Sequence, residues 1–125
     1  MKKGCLLMLL LALTGCGSDG VEGYQQITAE EAKTMMEEQD DEIILDVREQ
    51  EEYDGGHIPG AILLPVGTIG EDSAEEVIPA KDATVLVYCR SGNRSKTASA
   101  ALAELGYTQV YEFGGIQDWE YEIES

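Results

Sequence analysis

The sequence predicts an α/β domain in which a parallel sheet carries helices on both faces. Two short runs rich in apolar, β-branched residues, IILDV at 43–47 and TVLVY at 84–88, read as strands buried on both sides. Segments with capping signals or helical spacing stand between the strand-like runs, and such alternation is what a parallel sheet with crossover helices requires. A chain of 125 residues holds one modest domain and its core, but not two.

The domain begins near Tyr24. Thr28 followed by Glu31 forms a capping box for a helix running to about Glu38, with Ala32, Met35 and Met36 on one side. IILDV follows as a strand, and a second short helix in EQEEYD ends at Gly55-Gly56. After HIPGA the run ILLPV reads as another strand, and Ser73 with Glu76 marks a second capping box before VIPA. TVLVY is the clearest strand of the chain. From Ser95 to Leu105, Ala98, Ala101, Leu102 and Leu105 recur at helical spacing, and Gly106 sits where a helix stops. A last strand near Val110 to Phe113 precedes Gly114-Gly115 and a helix over IQDWEYE. There is no internal repeat.

Residues 1–15 have the order of a secretory leader: Lys2 and Lys3, an apolar run from Leu6 to Leu13, then small residues. The stretch is too short for a spanning helix. Its end, Leu13-Thr14-Gly15-Cys16, resembles the lipobox of bacterial lipoproteins, which implies that Cys16 is diacylated and becomes the first mature residue. An ordinary leader with an incidental Cys16 is the plainer alternative. Residues 16–23 then form a lipidated cysteine and a glycine-rich tether, and residues 24–125 the domain. The expected location is outside the cytoplasm, at a bacterial membrane, held by the lipid on Cys16.

The formal charge is −17, and loss of Lys2 and Lys3 makes it about −19. That excludes nucleic acid as a partner. The acidic clusters EEAKTMMEEQDDE, EQEEYD and EDSAEE read as solvated helix faces and turns that keep the domain soluble. Cys5 leaves with the leader and Cys16 carries lipid, so Cys89 is the lone mature thiol and no internal disulfide is available.

Cys89 follows the TVLVY strand at once, and Arg90-Ser91-Gly92-Asn93-Arg94 leads into the helix starting near Ser95. In a parallel α/β sheet, ligands gather at the carboxyl ends of strands, where the next helix presents its free amides. A loop curled with its amides inward, next to two guanidinium groups and a helix N-terminus, favours a thiolate over a thiol. Gly92 suits so tight a cradle. The plainer reading, a small apolar cysteine ending a core strand, leaves the arginines and glycine unexplained.

CRSGNRS resembles the active-site loop of the rhodanese family, of pattern C-x-x-G-x-R. LDVREQEEYDGGHIPGAI at 45–62 is similar to that family's first-half signature, and FGGIQDW at 113–119 to its closing segment. Together these cover about residues 24–121. The resemblance implies a central parallel sheet of about five strands flanked by helices. It also implies that Cys89 carries sulfur: the thiolate takes the outer sulfur of a small anionic donor such as thiosulfate, and a thiol or cyanide acceptor removes it. No metal and no organic cofactor is implied.

Amides from Arg90 to Ser95 are expected to stabilise the persulfide, with Arg90 holding the sulfonate end of the donor. Arg94 either contacts substrate or braces the loop. Asp46 and Arg48 are expected to pair and fix a strand end. His57 reads as a hydrogen-bonded turn anchor, since an ionised sulfur needs no general base. Trp119 reads as packing.

Two rivals stand beside this. A phosphatase or arsenate reductase also uses a cysteine in an anion cradle, but such enzymes place five residues between cysteine and arginine, and here four separate Cys89 from Arg94. A persulfide relay module that hands sulfur to an acceptor protein is the second. A lone extracytoplasmic thiol also calls for a reductase or other reducing partner.

Overall fold

In the computed structural model, which describes residues 23–125, five strands lie parallel in the order β1-β5-β4-β2-β3. The elements run β1 (Gln25–Gln26), α1 (Ala29–Glu38), β2 (Ile43–Asp46), α2 (Gln50–Asp54), β3 (Ile62–Leu63), α3 (Glu71–Val77), β4 (Thr84–Cys89), α4 (Asn93–Glu104) and β5 (Gln109–Gly115). Short 3-10 turns cover Val66–Thr68 and Ile116–Asp118. The leader, the lipobox and Cys16 lie outside the described residues.

β4 is central, and its side chains alternate between two cores. Val85, Val87 and Cys89 pack with Ala74 of α3 and with Ala98 and Leu102 of α4. Leu86 and Tyr88 face Ala32, Met35 and Met36 of α1 and Tyr53 of α2. Val85, Leu86, Val87 and Tyr88 are fully buried, each apolar side chain contributing about 1.5–3 kcal/mol. The apolar run TVLVY is what a strand covered on both faces needs.

The first helix begins at the expected capping box: the Thr28 hydroxyl accepts from the Glu31 N–H, and Glu31 Oε1 accepts from the Thr28 N–H. Several expectations are corrected. The strand within ILLPV is two residues long, because Pro65 has no N–H for the ladder and opens a 3-10 turn instead. Ser73 is not an N-cap. The third helix starts from Gly70, and Ser73, at its third position, accepts the Gly70 N–H and donates to the Thr68 carbonyl. The fourth helix starts at Asn93 rather than Ser95, and β5 extends through Gly114-Gly115.

Over IQDWEYE no α-helix forms; the helical part is one 3-10 turn, Ile116–Asp118. Past the 3-10 turn, Trp119, Tyr121 and Ile123 alternate with acidic residues at period two, and Glu124 forms an antiparallel bridge with His57. The edge strand β1 had no apolar signature to betray it; QQ pairs with Tyr111 and Glu112 through backbone alone.

Candidate active site

The sulfur sits where the central strand ends and α4 begins. β4 delivers Cys89 on the α4 side, and the chain then turns through Gly92, whose φ of +106° is a left-handed value that glycine adopts without strain. The Gly92 N–H points back and donates to Cys89 Sγ at 3.0 Å. Ser95 Oγ lies 3.5 Å from the sulfur on the other side. Cys89 is 1% exposed. Burial pushes the thiol up, but the hydrogen bond shared with the Ser95 side chain and those from the backbone N–H groups of Ser95, Gly92 and Ser91 outweigh it. The thiol therefore titrates below its ordinary value.

β5 holds the loop from behind. An ideal Cβ on Gly115 would lie 2.0 Å from the Arg90 carbonyl oxygen, so glycine is required for this approach. That carbonyl accepts from the Gln117 N–H at 3.2 Å. FGGIQ thus acts as a backstop that fixes where Arg90 and Ser91 turn.

The two loop arginines differ. Arg94 forms a two-pronged pair with Glu52 of α2, at 2.8 and 2.9 Å. Arg94 pulls the Glu52 carboxyl down to about 2; partial burial opposes this and the Glu49 N–H assists it. Arg90 is exposed, and its guanidinium has no protein partner among the described residues. Ser91 and Asn93 are likewise exposed at the rim.

Asp46 and Arg48 lie together at the end of β2. Arg48 Nε and Nη2 donate to the Asp46 carboxylate at 2.9 and 2.7 Å, and Nη2 also donates to the Gly56 carbonyl at 2.7 Å. The Tyr88 hydroxyl donates to the same carboxylate at 2.7 Å and accepts the Ile58 N–H at 3.1 Å. This network ties the GHIPGA turn to β2 and β4, on the face away from the sulfur. His57 belongs to that turn: its Nδ1–H donates to the Tyr53 carbonyl at 2.9 Å, and its ring stacks on Tyr53 at 3.8 Å. Trp119 packs against Phe113 and Tyr121. Among the described residues, no group of three or more His, Cys, Asp or Glu side chains is placed to hold a metal ion.

Sequence reasoning missed two residues. Glu52 carries no local sign of its pairing, because its partner is 42 positions away. Glu112, 3% exposed, accepts from Ser95 Oγ and from the Gly114 N–H. Its signal was present: an acid on the same face as Val110 in an otherwise buried strand.

Residues 28–122 match the family described as the rhodanese-like domain. Thiosulfate sulfurtransferase PspE of Escherichia coli (strain K12) is 43% identical over 74 residues, 59% of this chain and 70% of that protein. The Bacillus subtilis (strain 168) protein named "Putative sulfur carrier protein YrkF" is 32% identical over 108 residues, 86% of this chain, and the match spans 57% of that protein. A solved structure, "rhodanese with anions from E. coli", superposes with a TM-score of 0.63 at 36% identity, covering 67% of this chain and 98% of that one.

Proposed function

The chain belongs to the rhodanese-like domain family, and from that premise we propose that it is a sulfurtransferase working through a persulfide on Cys89. The Cys89 thiolate attacks the outer sulfur of thiosulfate. The bond between the two thiosulfate sulfurs breaks, its electron pair leaves with sulfite, and Cys89 carries the transferred sulfur as a persulfide anion. Cyanide in the test tube, or a thiol in the cell, then takes that outer sulfur and returns the thiolate; a thiol acceptor leaves its own proton to solvent.

The observation that carries this reading is the sulfur at the strand end inside a ring of N–H donors, with the Gly92 N–H at 3.0 Å. The same donors suit a persulfide anion. Arg90, exposed and unpaired among the described residues, is free to meet the sulfonate end of a donor, whereas Arg94 is engaged by Glu52. The chemistry calls for no metal or organic cofactor. The test is thiocyanate formation from thiosulfate and cyanide, using a chain that starts at Gly17. Turnover is expected and is expected to vanish in Cys89→Ser; equal turnover in that variant would remove Cys89 from the mechanism.

A second reading, a carrier that passes sulfur to an acceptor protein, is favoured by the similarity to YrkF. Slow cyanide turnover with rapid sulfur transfer to an acceptor protein would select it.

The leader and lipid are part of the proposal. Residues 1–15 direct export and Cys16 is acylated, supported by the paired lysines, the apolar run and LTGC in order. The domain then works outside the cytoplasm at a membrane, with a reducing partner to restore Cys89. Fatty-acid labelling of the expressed chain, lost in Cys16→Ala, checks this; labelling that persists would sink it.

A further inference from the structure

Two carboxylates are buried among the described residues, Asp46 and Glu112. Asp46 is neutralised by Arg48. Glu112 has no cation within ion-pair distance among the described residues; its side chain's donors there, the Ser95 hydroxyl and the Gly114 N–H, both go to one oxygen, Oε2. An anion placed in a core without a counterion is costly, and this one stands directly behind the reactive sulfur, bridged to it by Ser95.

We propose that Glu112 is a positioning residue that, through Ser95, moderates the ionisation of Cys89: it limits how far the site stabilises the free thiolate and so favours the sulfur-loaded state.

Ser95 Oγ has one hydrogen and three neighbours that could accept it: Glu112 Oε2, the Gly114 carbonyl at 3.4 Å and Cys89 Sγ, of which Glu112 is the nearest. Donated to Glu112, as the geometry has it, that hydrogen leaves Ser95 facing the sulfur with a lone pair. A lone pair suits the Cys89 S–H and not a thiolate. When Cys89 ionises, two anions flank one hydroxyl that can satisfy only one of them. In the persulfide the charge has moved to the outer sulfur and Sγ is a neutral divalent atom, so the contest ends. The carboxylate therefore penalises the free thiolate and spares the loaded form.

Among the described residues no charge on the elements around β4 pairs with Glu112, and Arg94 alone eases Cys89 ionisation, through its charge. Arg94 of α4 is tied to Glu52 of α2, Arg48 is tied to Asp46 of β2, and Arg90 points to solvent. The Ser95 side chain and the backbone N–H groups draw the thiol down, and by competing for the one Ser95 hydrogen Glu112 limits what that hydroxyl adds.

The consequence for sulfur loading rests on the sulfurtransferase reading; the effect on ionisation does not. The experiment uses the full chain in mild detergent, with alkylation by iodoacetamide followed against pH on the Cys89 peptide by mass spectrometry. In Glu112→Gln the midpoint of the rate profile is expected to fall by about one pH unit. On a Ser95→Ala background the same substitution is expected to move it by less than about a third of that, because the bridge is gone. Glu112→Leu, which removes acceptor and charge together, carries the same expectation if the Gln variant does not fold.

Above the midpoint, at fixed thiosulfate and sulfite, the ratio of persulfide to thiolate is expected to drop about tenfold in Glu112→Gln. An unmoved or raised midpoint overturns the proposal. So does an equal shift with and without Ser95, which would reduce Glu112 to a charge acting through space. A lowered midpoint with no persulfide in any variant sinks the sulfurtransferase reading and leaves the hold of Glu112 on Cys89 standing.

Discussion

Glu52 and Arg94 close the cysteine loop from outside, and their pairing has a pH signature. The Glu52 carboxyl sits at about 2, below its ordinary value of 4.5, with the Arg94 hydrogen bond the largest cause. A carboxylate lowered by folding stabilises the fold fully above its unfolded value, and that stabilisation is lost as pH falls toward the folded one. The window is therefore pH 4.5 down to about 2. With 28% of the Glu52 side chain and 33% of Arg94 exposed, solvent screening limits the pair to about 1 kcal/mol. Glu52→Gln is expected to lower Tm at pH 6 and to converge on the unsubstituted protein near pH 2. A Tm gap that is constant across that range would show that the pair contributes nothing through its charge. The arginine's pattern position left contact and bracing equally open; the two-pronged bond to α2 commits its guanidinium to the loop wall.

At the scale of elements, the site is a junction of three pieces that the sequence separates. β4 supplies the sulfur, α4 supplies Ser95 and the free amides of its first turn, and β5 supplies Glu112 and the glycine backstop. β4 and β5 were legible because both carry apolar residues on both faces, and α4 because its alanines and leucines recur at helical spacing. The start of α4 was misplaced because its N-cap is Gly92, which has no side chain to announce a cap. The expected C-terminal helix over IQDWEYE stops after one 3-10 turn, Ile116–Asp118; beyond it the period-two alternation of apolar and acidic residues leads to the bridge with His57 instead. The register between β4 and β5 shifts between Val87 and Cys89, setting Cys89 opposite Gly115. A shift of that kind is a property of pairing between strands, and neither strand alone encodes it.

At the scale of the whole molecule, a net charge of −17 surrounds a loop whose exposed cation is Arg90. A dianionic donor approaching such a surface is repelled at long range. Raising salt from about 10 mM to 150 mM shortens the screening length from about 30 Å to 8 Å, so kcat/KM for thiosulfate is expected to rise severalfold. A fall would mean that the local field of Arg90 outweighs the global charge. The sequence by itself determined the alternation of strands and helices, the parallel sheet, the cysteine at a strand's carboxyl end and the family signatures, because these depend on residues close together in the chain. Tertiary structure alone decided that Arg94 binds Glu52, that Asp46 and Arg48 lock the GHIPGA turn away from the sulfur, and that Glu112 stands behind Ser95. Each of those contacts joins residues on different elements, and the twist and register of the assembled sheet set which side chains meet.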